Sequence, residues 1–340
     1  MASEPFRIGL TRDFLDESGK IRFGAIGLEL LDEAPGVVWD YLPENERELS
    51  PATIRGYDAL WVLGSSVTAR TMDGADRLAI VARYGVGFDA VDVDALTRHG
   101  VILTITPEGV RRPMATTNLT LLLALAHRLF DQDRLTRSGG WARKHEVMGV
   151  GLTGKTLGTI GFGNIAREFL RLAKPLEMRY IAADPFFDAA AGADLGVEQV
   201  GLDELLRQAD FVVVACSLSP ATRGLLSRER IGSMKPTAYV ISTARGPIVD
   251  QRALYEALRD RRIAGAGMDV YETEPIDPAD PLLALDNVIV TPHALGWTDE
   301  WAYLSGVSAC RAMLDVAAGR VPPNVVNPAA IDTPRFQAKL

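Results

Sequence analysis

"TLGTIGFGNIARE", residues 156–168, is the stretch that decides the fold of this chain. An apolar strand pattern ends at a pair of glycines, and a helical pattern follows them. Glycines at this point allow a tight turn and a close approach of the backbone to a pyrophosphate, which the positive end of the next helix attracts. An alanine fills the third position of the G-x-G-x-x-G pattern, a change that this pattern tolerates. The stretch predicts a dinucleotide-binding turn formed by Gly161, Gly163, Asn164 and Ile165.

Asp184 ends the next apolar strand, roughly 20 residues after the glycines, where an acid hydrogen-bonds the ribose hydroxyls of NAD. A carboxylate there repels the extra phosphate of NADP, and no Lys or Arg follows within "PFFDAAA", residues 185–191. Alternatively, Asp184 is a surface aspartate that precedes the turn-forming Pro185 and does not bind a cofactor. The position of Asp184 after the glycine turn favours NAD as the cofactor.

Short apolar runs alternate with helical patterns along the 340 residues, which predicts an α/β fold with parallel sheets covered by helices. At about 150 residues per domain, the length indicates two such domains, Rossmann-like or flavodoxin-like. Near Thr106 the pattern changes, and a long helix is predicted from about Pro113 to about Arg137. Its stretch "LTLLLALAHRLF", residues 119–130, is apolar on nearly every side, so it is either buried inside the protein or packed against another subunit.

Composition excludes several classes of function. The net charge of −8 argues against a nucleic-acid surface and against docking to an anionic membrane. No apolar run approaches the roughly 20 residues that span a bilayer, and the first residues carry an acid where a signal peptide carries basic residues. Cys216 and Cys310 form neither a disulfide framework nor a zinc pattern, so we expect no metal and a cytoplasmic location.

Three motifs follow later strands of the second series, at the strand ends where open α/β folds place ligands. Arg245 lies in "ISTARGPIVD", several acids lie in "GMDVYETEP" (residues 267–275), and His293 lies in "VTPHALGW". An arginine binds a carboxylate through two parallel hydrogen bonds from its planar guanidinium group. A histidine can exchange a proton with a hydroxyl near neutral pH, and an acid can orient its imidazole ring. Each residue alone also has a purely structural reading. Their joint position after a nucleotide turn favours one catalytic site.

Five motifs together resemble the NAD-dependent D-isomer-specific 2-hydroxyacid dehydrogenases, over roughly residues 50–327. They are "ARYGVGFDAVDVDAL", "LTGKTLGTIGFGNIARE", "MKPTAYVISTARGPIVDQRAL", "GAGMDVYETEP" and "DNVIVTPHALGWT". The resemblance implies a cofactor domain, residues 111–299, inserted into a substrate domain formed by residues 1–110 and 300–340. It also implies a homodimer built around the first helix of the insertion and the arm that follows.

The same resemblance implies roles for individual residues. Arg245 would bind the substrate carboxylate and the 2-oxo oxygen, His293 would be the acid–base, and Glu274 would be its partner. The backbone amides of Val86 and Gly87 would hold the other carboxylate oxygen. Positions that match the cofactor-lining residues of the family are Cys216, Thr222, Thr243, Ala244 and Asp269, with Asp269 near the nicotinamide.

This chain departs from the family pattern in places that bear on the substrate. "MATTN", residues 114–118, stands where many relatives carry V-A-E, and Trp297 stands where relatives usually carry small residues. A bulky indole at Trp297 would either narrow or reshape the pocket or shift the C-terminal segment. Arg111 and Arg112 either recognise a second anionic group or form a solvated pair at a helix start. Trp141 either reaches the active site of the partner or anchors the interface.

We therefore expect hydride transfer between NAD(H) and the 2-position of a small 2-hydroxy or 2-keto acid, of the glyoxylate or hydroxypyruvate kind. Phosphoglycerate is a rival substrate, although the chain stops soon after its last helix, without a regulatory domain. Formate oxidation is disfavoured, because that branch pairs its histidine with glutamine, while phosphite oxidation stays open. The alternative from another class is an NAD-sensing binding protein of the co-repressor type, which shares the fold.

Overall fold

The computed structural model describes residues 4–339, so the predicted domain limits at residues 1 and 340 lie outside the described residues. The prediction that the first ten residues are not a signal peptide falls in part on residues 1–3, which also lie outside the described residues. The described chain divides into two compact units. The first unit comprises the residues up to Val110 together with those from Trp297 onward, and the second unit is Arg111–Gly296.

Strands and helices alternate along the described residues. The strands are β1 (Phe6–Leu10), β2 (Val37–Tyr41), β3 (Ala59–Val62), β4 (Ile80–Arg83), β5 (Ile102–Thr104), β6 (Thr156–Ile160), β7 (Arg179–Ala183), β8 (Val197–Gln199), β9 (Phe211–Val214), β10 (Tyr239–Ser242), β11 (Gly265–Met268) and β12 (Val288–Val290). The helices are α1 (Glu29–Asp32), α2 (Pro51–Ile54), α3 (Val93–Arg98), α4 (Pro107–Ala126), α5 (Leu129–Arg137), α6 (Asn164–Ala173), α7 (Ala189–Leu195), α8 (Leu202–Gln208), α9 (Arg228–Gly232), α10 (Gln251–Arg259), α11 (Asp299–Ala317) and α12 (Pro334–Gln337). The predicted α/β class is confirmed.

In the first unit the described strands form a parallel five-stranded sheet in the order β2-β1-β3-β4-β5, the flavodoxin-like order. Its central strand β3 is buried along its whole length. The last long helix, α11, packs on this sheet, and the hydroxyl of Tyr84 donates a 2.6 Å hydrogen bond to the carbonyl of Ala302 in α11. This bond ties the C-terminal part of the chain to strands from its first third.

In the second unit the described strands form a parallel seven-stranded sheet in the order β12-β11-β10-β9-β6-β7-β8. Chain order reverses between β6 and β9, as in the doubly wound fold that binds dinucleotides at this crevice. β6 and β9 are buried throughout, since helices cover both faces of the sheet. The glycine turn leaves β6 at this reversal point.

The single helix predicted from Pro113 to Arg137 is wrong at its start and in its continuity. α4 begins at Pro107, and Pro113 lies inside the helix. Proline suits the first helical position because the backbone N–H that it lacks would have no acceptor within the helix there. The helix ends at Ala126, because Arg128 adopts the left-handed conformation with φ 49°. A separate helix, α5, then follows.

Two further differences have local causes. The sequence pattern of residues 23–32 favours a helix, but only α1 is helical, because Gly24 and Gly27 take positive φ angles of 71° and 80°. β8 was not predicted, since three residues at a sheet edge are too few to show an alternating pattern. Among residues 4–339, no helix is long and apolar enough to cross a membrane.

Candidate active site

The two glycines of the turn after β6 serve different purposes. Gly161 has φ 99°, and a Cβ atom placed on it would lie 2.8 Å from the amide nitrogen of Cys216, so the fold itself requires glycine. Gly163 precedes the first residue of α6 and has an ordinary φ of −76°. A Cβ atom on Gly163 would meet no protein atom within 4 Å. The space at Gly163, at the positive end of a ten-residue helix, is therefore open to an anionic group.

Asp184 is held at this turn by two backbone amides. Its Oδ2 accepts a 2.6 Å hydrogen bond from the amide of Phe162, and its Oδ1 accepts a 2.7 Å bond from the amide of Phe186. The first bond joins the loop after β7 to the glycine turn after β6. Each carboxylate oxygen keeps a second lone pair, so Asp184 can still accept hydrogen bonds from ribose hydroxyls.

The loop after β9 contains two of the predicted cofactor-lining residues. Burial raises the pKa of the Cys216 thiol to about 11, so this side chain is neutral at physiological pH. The hydroxyl of Thr222 donates to the carbonyl of Ser217 at 2.7 Å and accepts from the amide of Ser219 at 2.7 Å. Thr222 therefore closes the loop that begins at Cys216.

His293 and Glu274 form a hydrogen-bonded pair, with 2.7 Å between Nδ1 and Oε2. Oε1 of Glu274 accepts a 3.0 Å bond from the amide of Tyr271. Burial raises the pKa of Glu274, but the hydrogen bonds from His293 and Tyr271, together with the charges of His293 and Arg245, outweigh burial and hold that pKa below its ordinary value. Because an ionised carboxylate only accepts, Nδ1 is the donor and Nε2 is the ring atom that can exchange a proton with a substrate.

Asp269 shapes the loop that carries His293. It is 1% exposed, and its Oδ1 accepts bonds from the hydroxyl of Thr291 at 2.6 Å and from the amides of Ala294 and Leu295 at 3.2 and 3.3 Å. These bonds flank His293, which adopts the left-handed conformation with φ 55°. The family resemblance implies that Asp269 lies near the nicotinamide, whereas its support of this loop could not be predicted, because the residue pattern carries no signal for it.

Arg245 lies on a loop that packs directly against the turn containing Glu274. A Cβ atom on Gly246 would lie 1.9 Å from the carbonyl group of Tyr271, so only glycine lets the two backbones approach so closely. The guanidinium of Arg245 is half-buried and donates a 2.8 Å bond to the carbonyl of Ala244. The second unit thus brings together Arg245, Glu274 and His293, which are far apart in sequence.

Val86 and Gly87, the predicted carboxylate-binding amides, lie in the first unit, in the loop after β4. The preceding Gly85 has φ 123°, and its amide donates a 2.8 Å bond to the hydroxyl of Thr106. Within residues 4–339, neither the amide of Val86 nor that of Gly87 donates a hydrogen bond to another protein atom. Both remain donors that a ligand could use.

Several other candidate residues have protein partners. Glu272 is exposed and exchanges two hydrogen bonds with Gln251 at the start of α10, with N···O distances of 3.2 and 3.0 Å. Arg112 forms a 2.6 Å ion pair with the nearly buried Glu168. In the first unit, the ring of Trp297 stacks on Trp301, with ring centres 5.5 Å apart. Arg111 and Trp141 are exposed.

The residues of the second unit fit a dinucleotide. The open space at Gly163, the start of α6 and the carboxylate of Asp184 lie on neighbouring loops at the reversal point of the sheet. Open α/β sheets bind nucleotides at this point, with the pyrophosphate at the helix start and the acid at the ribose.

Comparison with known proteins agrees with this arrangement. The sequence pattern described as "D-isomer specific 2-hydroxyacid dehydrogenase, NAD binding domain" matches residues 119–294. A glyoxylate reductase of Pyrococcus furiosus is 37% identical over 309 residues, which cover 88% of this chain and 92% of that protein. A D-3-phosphoglycerate dehydrogenase of Archaeoglobus fulgidus is 35% identical over 309 residues, covering 88% of this chain but 58% of that protein. The crystal structure of protein TT0316 of Thermus thermophilus has a TM-score of 0.83 at 33% identity, covering 94% of this chain and 99% of that one.

The chain belongs to the D-isomer specific 2-hydroxyacid dehydrogenase family. It is an NAD-dependent oxidoreductase of that family, and the seven-stranded sheet with its glycine turn lies within the stretch that matches the NAD-binding domain. The resemblance seen in the sequence is thereby confirmed, together with the class of enzyme.

We expect Gly163→Ala to weaken dinucleotide binding at least about tenfold while the protein stays folded, because the new methyl group enters only the open space. The free energy of unfolding should fall by at most about 1 kcal/mol, since alanine is a poorer N-cap than glycine. Gly161→Ala is the matched variant, and it should destabilise the protein through its clash with Cys216. Calorimetric titration with NAD and urea denaturation measure both effects. Unchanged NAD affinity in Gly163→Ala would contradict this site.

Proposed function

We propose that this enzyme transfers hydride between NAD(H) and the 2-position of a small D-2-hydroxy or 2-keto acid, with His293 as the acid–base. The observation that carries the proposal is the 2.7 Å bond between His293 and the ionised Glu274, beside the loop of Arg245. A histidine, an acid and an arginine in this arrangement suit the exchange of a proton and the binding of a carboxylate. The glyoxylate reductases among the relatives support a small substrate.

In the direction of reduction, carbon 2 of the keto acid would receive a hydride from the nicotinamide of a bound cofactor. His293 donates the proton from Nε2 to the oxygen on carbon 2, so that a hydroxyl forms, and it takes the proton back in the reverse direction. Glu274 fixes the ring through Nδ1 and stabilises its protonated form by its negative charge. Arg245 binds the substrate carboxylate and the 2-oxo oxygen with its planar donors.

The remaining substrate contact is assigned to the first unit. The amides of Val86 and Gly87 bind the second carboxylate oxygen, and support comes from their lack of protein acceptors within residues 4–339. Arg112 is not assigned to a second anionic group of the substrate, because Glu168 already pairs with it. This pairing favours keto acids without a phosphate over phosphorylated ones.

NAD is the proposed cofactor, in preference to NADP. Support comes from Asp184, whose carboxylate is held at the glycine turn by the amides of Phe162 and Phe186. A carboxylate fixed there accepts bonds from ribose hydroxyls and repels a phosphate on the same ribose. Cys216, Thr222, Thr243 and Ala244 are the other residues proposed to line the cofactor.

The proposed assembly is a homodimer that uses the second unit. Support comes from exposed apolar side chains: Leu129 and Phe130 of α5, Trp141 and Met148 are between 48% and 80% exposed. A cavity of about 380 Å³ lies in the same region, lined by Phe130 and Met148 and also by charged side chains such as Arg134 and Arg261. Apolar groups gathered in this way are typical of a surface that another protein covers.

We expect His293→Asn to lower turnover by about 10²–10⁴-fold, the usual weight of acid–base catalysis, with NADH affinity unchanged. Asparagine is chosen because it tolerates the left-handed backbone of this position better than alanine does. The assay follows NADH consumption with glyoxylate, hydroxypyruvate, phosphohydroxypyruvate, pyruvate and bulkier 2-keto acids. Wild-type protein that binds NADH but oxidises it with none of these acids would instead support a sensor of the co-repressor type.

Glu274→Gln should move the pH profile of keto-acid reduction toward lower pH, by up to about one unit. The lowered pKa of Glu274 keeps its carboxylate charged across the neutral range, and this charge is lost only as the pH falls through that pKa. Glutamine keeps an acceptor for Nδ1 but removes the negative charge that faces the ring, so we expect the pH of fastest proton transfer to fall. The measurement is kcat/KM against pH, with Glu272→Gln as the control that should leave the profile in place. A profile that moves in the control instead would transfer the role to Glu272.

Asp184→Asn should raise the ratio of kcat/KM with NADPH to that with NADH at least about tenfold, which corresponds to about 1.4 kcal/mol. The substitution removes the charge that repels the extra phosphate, yet its amide oxygen can still accept a bond from the amide of Phe162. Steady-state kinetics with both cofactors provide the measurement. Asp188→Asn, an exposed neighbour paired with Arg167, is the control. An unchanged ratio in Asp184→Asn would refute the assignment of the cofactor preference to this residue.

A further inference from the structure

Asn118, in the middle of α4, is a buried amide with only one of its two groups in use. Its Oδ1 accepts a 2.8 Å hydrogen bond from the hydroxyl of Thr243, and the two residues are 1% and 7% exposed. Its Nδ2 is buried and, among the described residues, has no hydrogen-bond partner. A buried donor without an acceptor costs about 1–3 kcal/mol, and an acceptor supplied by a ligand would relieve this cost. Other buried polar atoms of the described chain also lack a partner, among them Oδ1 of Asn287, so the position of Asn118 has to decide whether a ligand is involved.

The face of α4 that carries Asn118 also supports the other segments of the site. A Cβ atom on Gly296, after His293, would lie 2.5 Å from the sulfur of Met114. A Cβ atom on Gly267, before Asp269, would lie 3.2 Å from the side chain of Leu121. Met114, Asn118 and Leu121 stand four and three residues apart and therefore share one face of the helix. This face contacts the segments of Arg245, Asp269 and His293 alike.

The position of Thr243 indicates which group of a bound dinucleotide could accept a hydrogen bond from Nδ2 of Asn118. Thr243 follows the last residue of β10, at the edge of the sheet where dinucleotides bind, and precedes Arg245 by two residues. β10 lies two strands from β6, or about 10 Å from the glycine turn, a distance that a ribose and its attached ring can cover. The group that has to reach the substrate-binding arginine is the nicotinamide, and its hydrogen-bonding substituent is a carboxamide.

We propose that Asn118 is a positioning residue for the reaction: its Oδ1 fixes Thr243 and so the loop of Arg245, and its Nδ2 donates a hydrogen bond to the carboxamide oxygen of the bound nicotinamide. This inference rests on the proposed function, because it requires a dinucleotide at the carboxyl edge of the sheet. It gives α4 a part in orienting the ring, in addition to its part in packing. Because the proposed contact involves one atom of the cofactor, its effect on cofactor affinity can be measured separately from the effect of a substitution on protein stability.

The test compares the affinities of NAD and of its thionicotinamide analogue, in which sulfur, a weaker acceptor, replaces the carboxamide oxygen. Calorimetric titration of the wild type should show a preference for NAD of about three- to tenfold, the weight of one neutral hydrogen bond. In Asn118→Asp, which keeps the shape and an acceptor for Thr243 but lacks the donor, this preference should fall to about one. Asn118→Ala should show the same loss if the aspartate variant fails to fold.

Asn287→Ala provides the matched control. Asn287 lies at the opposite, amino edge of the sheet, and its Nδ2 donates to the carbonyls of Leu258 and Ala264 at 3.2 Å. Its loss should lower the midpoint of denaturation while leaving the preference for NAD as in the wild type. A preference that persists in both Asn118 variants would overturn the contact with the carboxamide. A wild type that binds neither dinucleotide would overturn the proposed function itself, and the two failures are thus distinguishable.

Discussion

The parallel direction of the strands is the constraint on which the site depends. Within the described residues, the sheet of the second unit has its carboxyl ends at one edge, so the loops after β6, β7, β10 and β11 meet there. Residues separated by long stretches of sequence become neighbours for this reason. The bond between Glu274 and His293, and that between Asp184 and Phe162, each join two loops of that edge.

Glycines allow these loops to approach closely enough for the bonds to form. Gly161 lies against the backbone at Cys216, and Gly246 lies against that of Tyr271, at distances that a Cβ atom would forbid. Packed backbones of this kind leave little freedom to Arg245 and to the nucleotide turn. Asp269, buried and bonded on both sides of His293, adds the same rigidity to the third loop. The side chains proposed to act in catalysis are therefore held in place by the protein itself.

Much of this arrangement could be predicted from the sequence, because it depends on local patterns. The glycine turn, Asp184 and every strand except β8 each have a signature within a few residues. The limits of α4 could not be predicted, since the break at Arg128 depends on a single left-handed residue that no composition rule marks. The support that Asp269 gives to His293 and the bond between Asn118 and Thr243 were also missed. Both are contacts between distant segments, and only the packed structure determines which side chains meet.

The two amide bonds of Asp184 place a limit on how this branch of the family could change its cofactor during evolution. Asp184, the residue proposed to discriminate between NAD and NADP, also joins the loop after β7 to the nucleotide turn. A small apolar replacement would admit the phosphate but would leave the amides of Phe162 and Phe186 without acceptors. A change in cofactor use therefore requires that the residue replacing Asp184 keep an oxygen acceptor for these amides. Otherwise, a second substitution has to restore the turn. Under the proposed role of Asp184, selection of the cofactor and integrity of the loop depend on the same side chain and are inherited together.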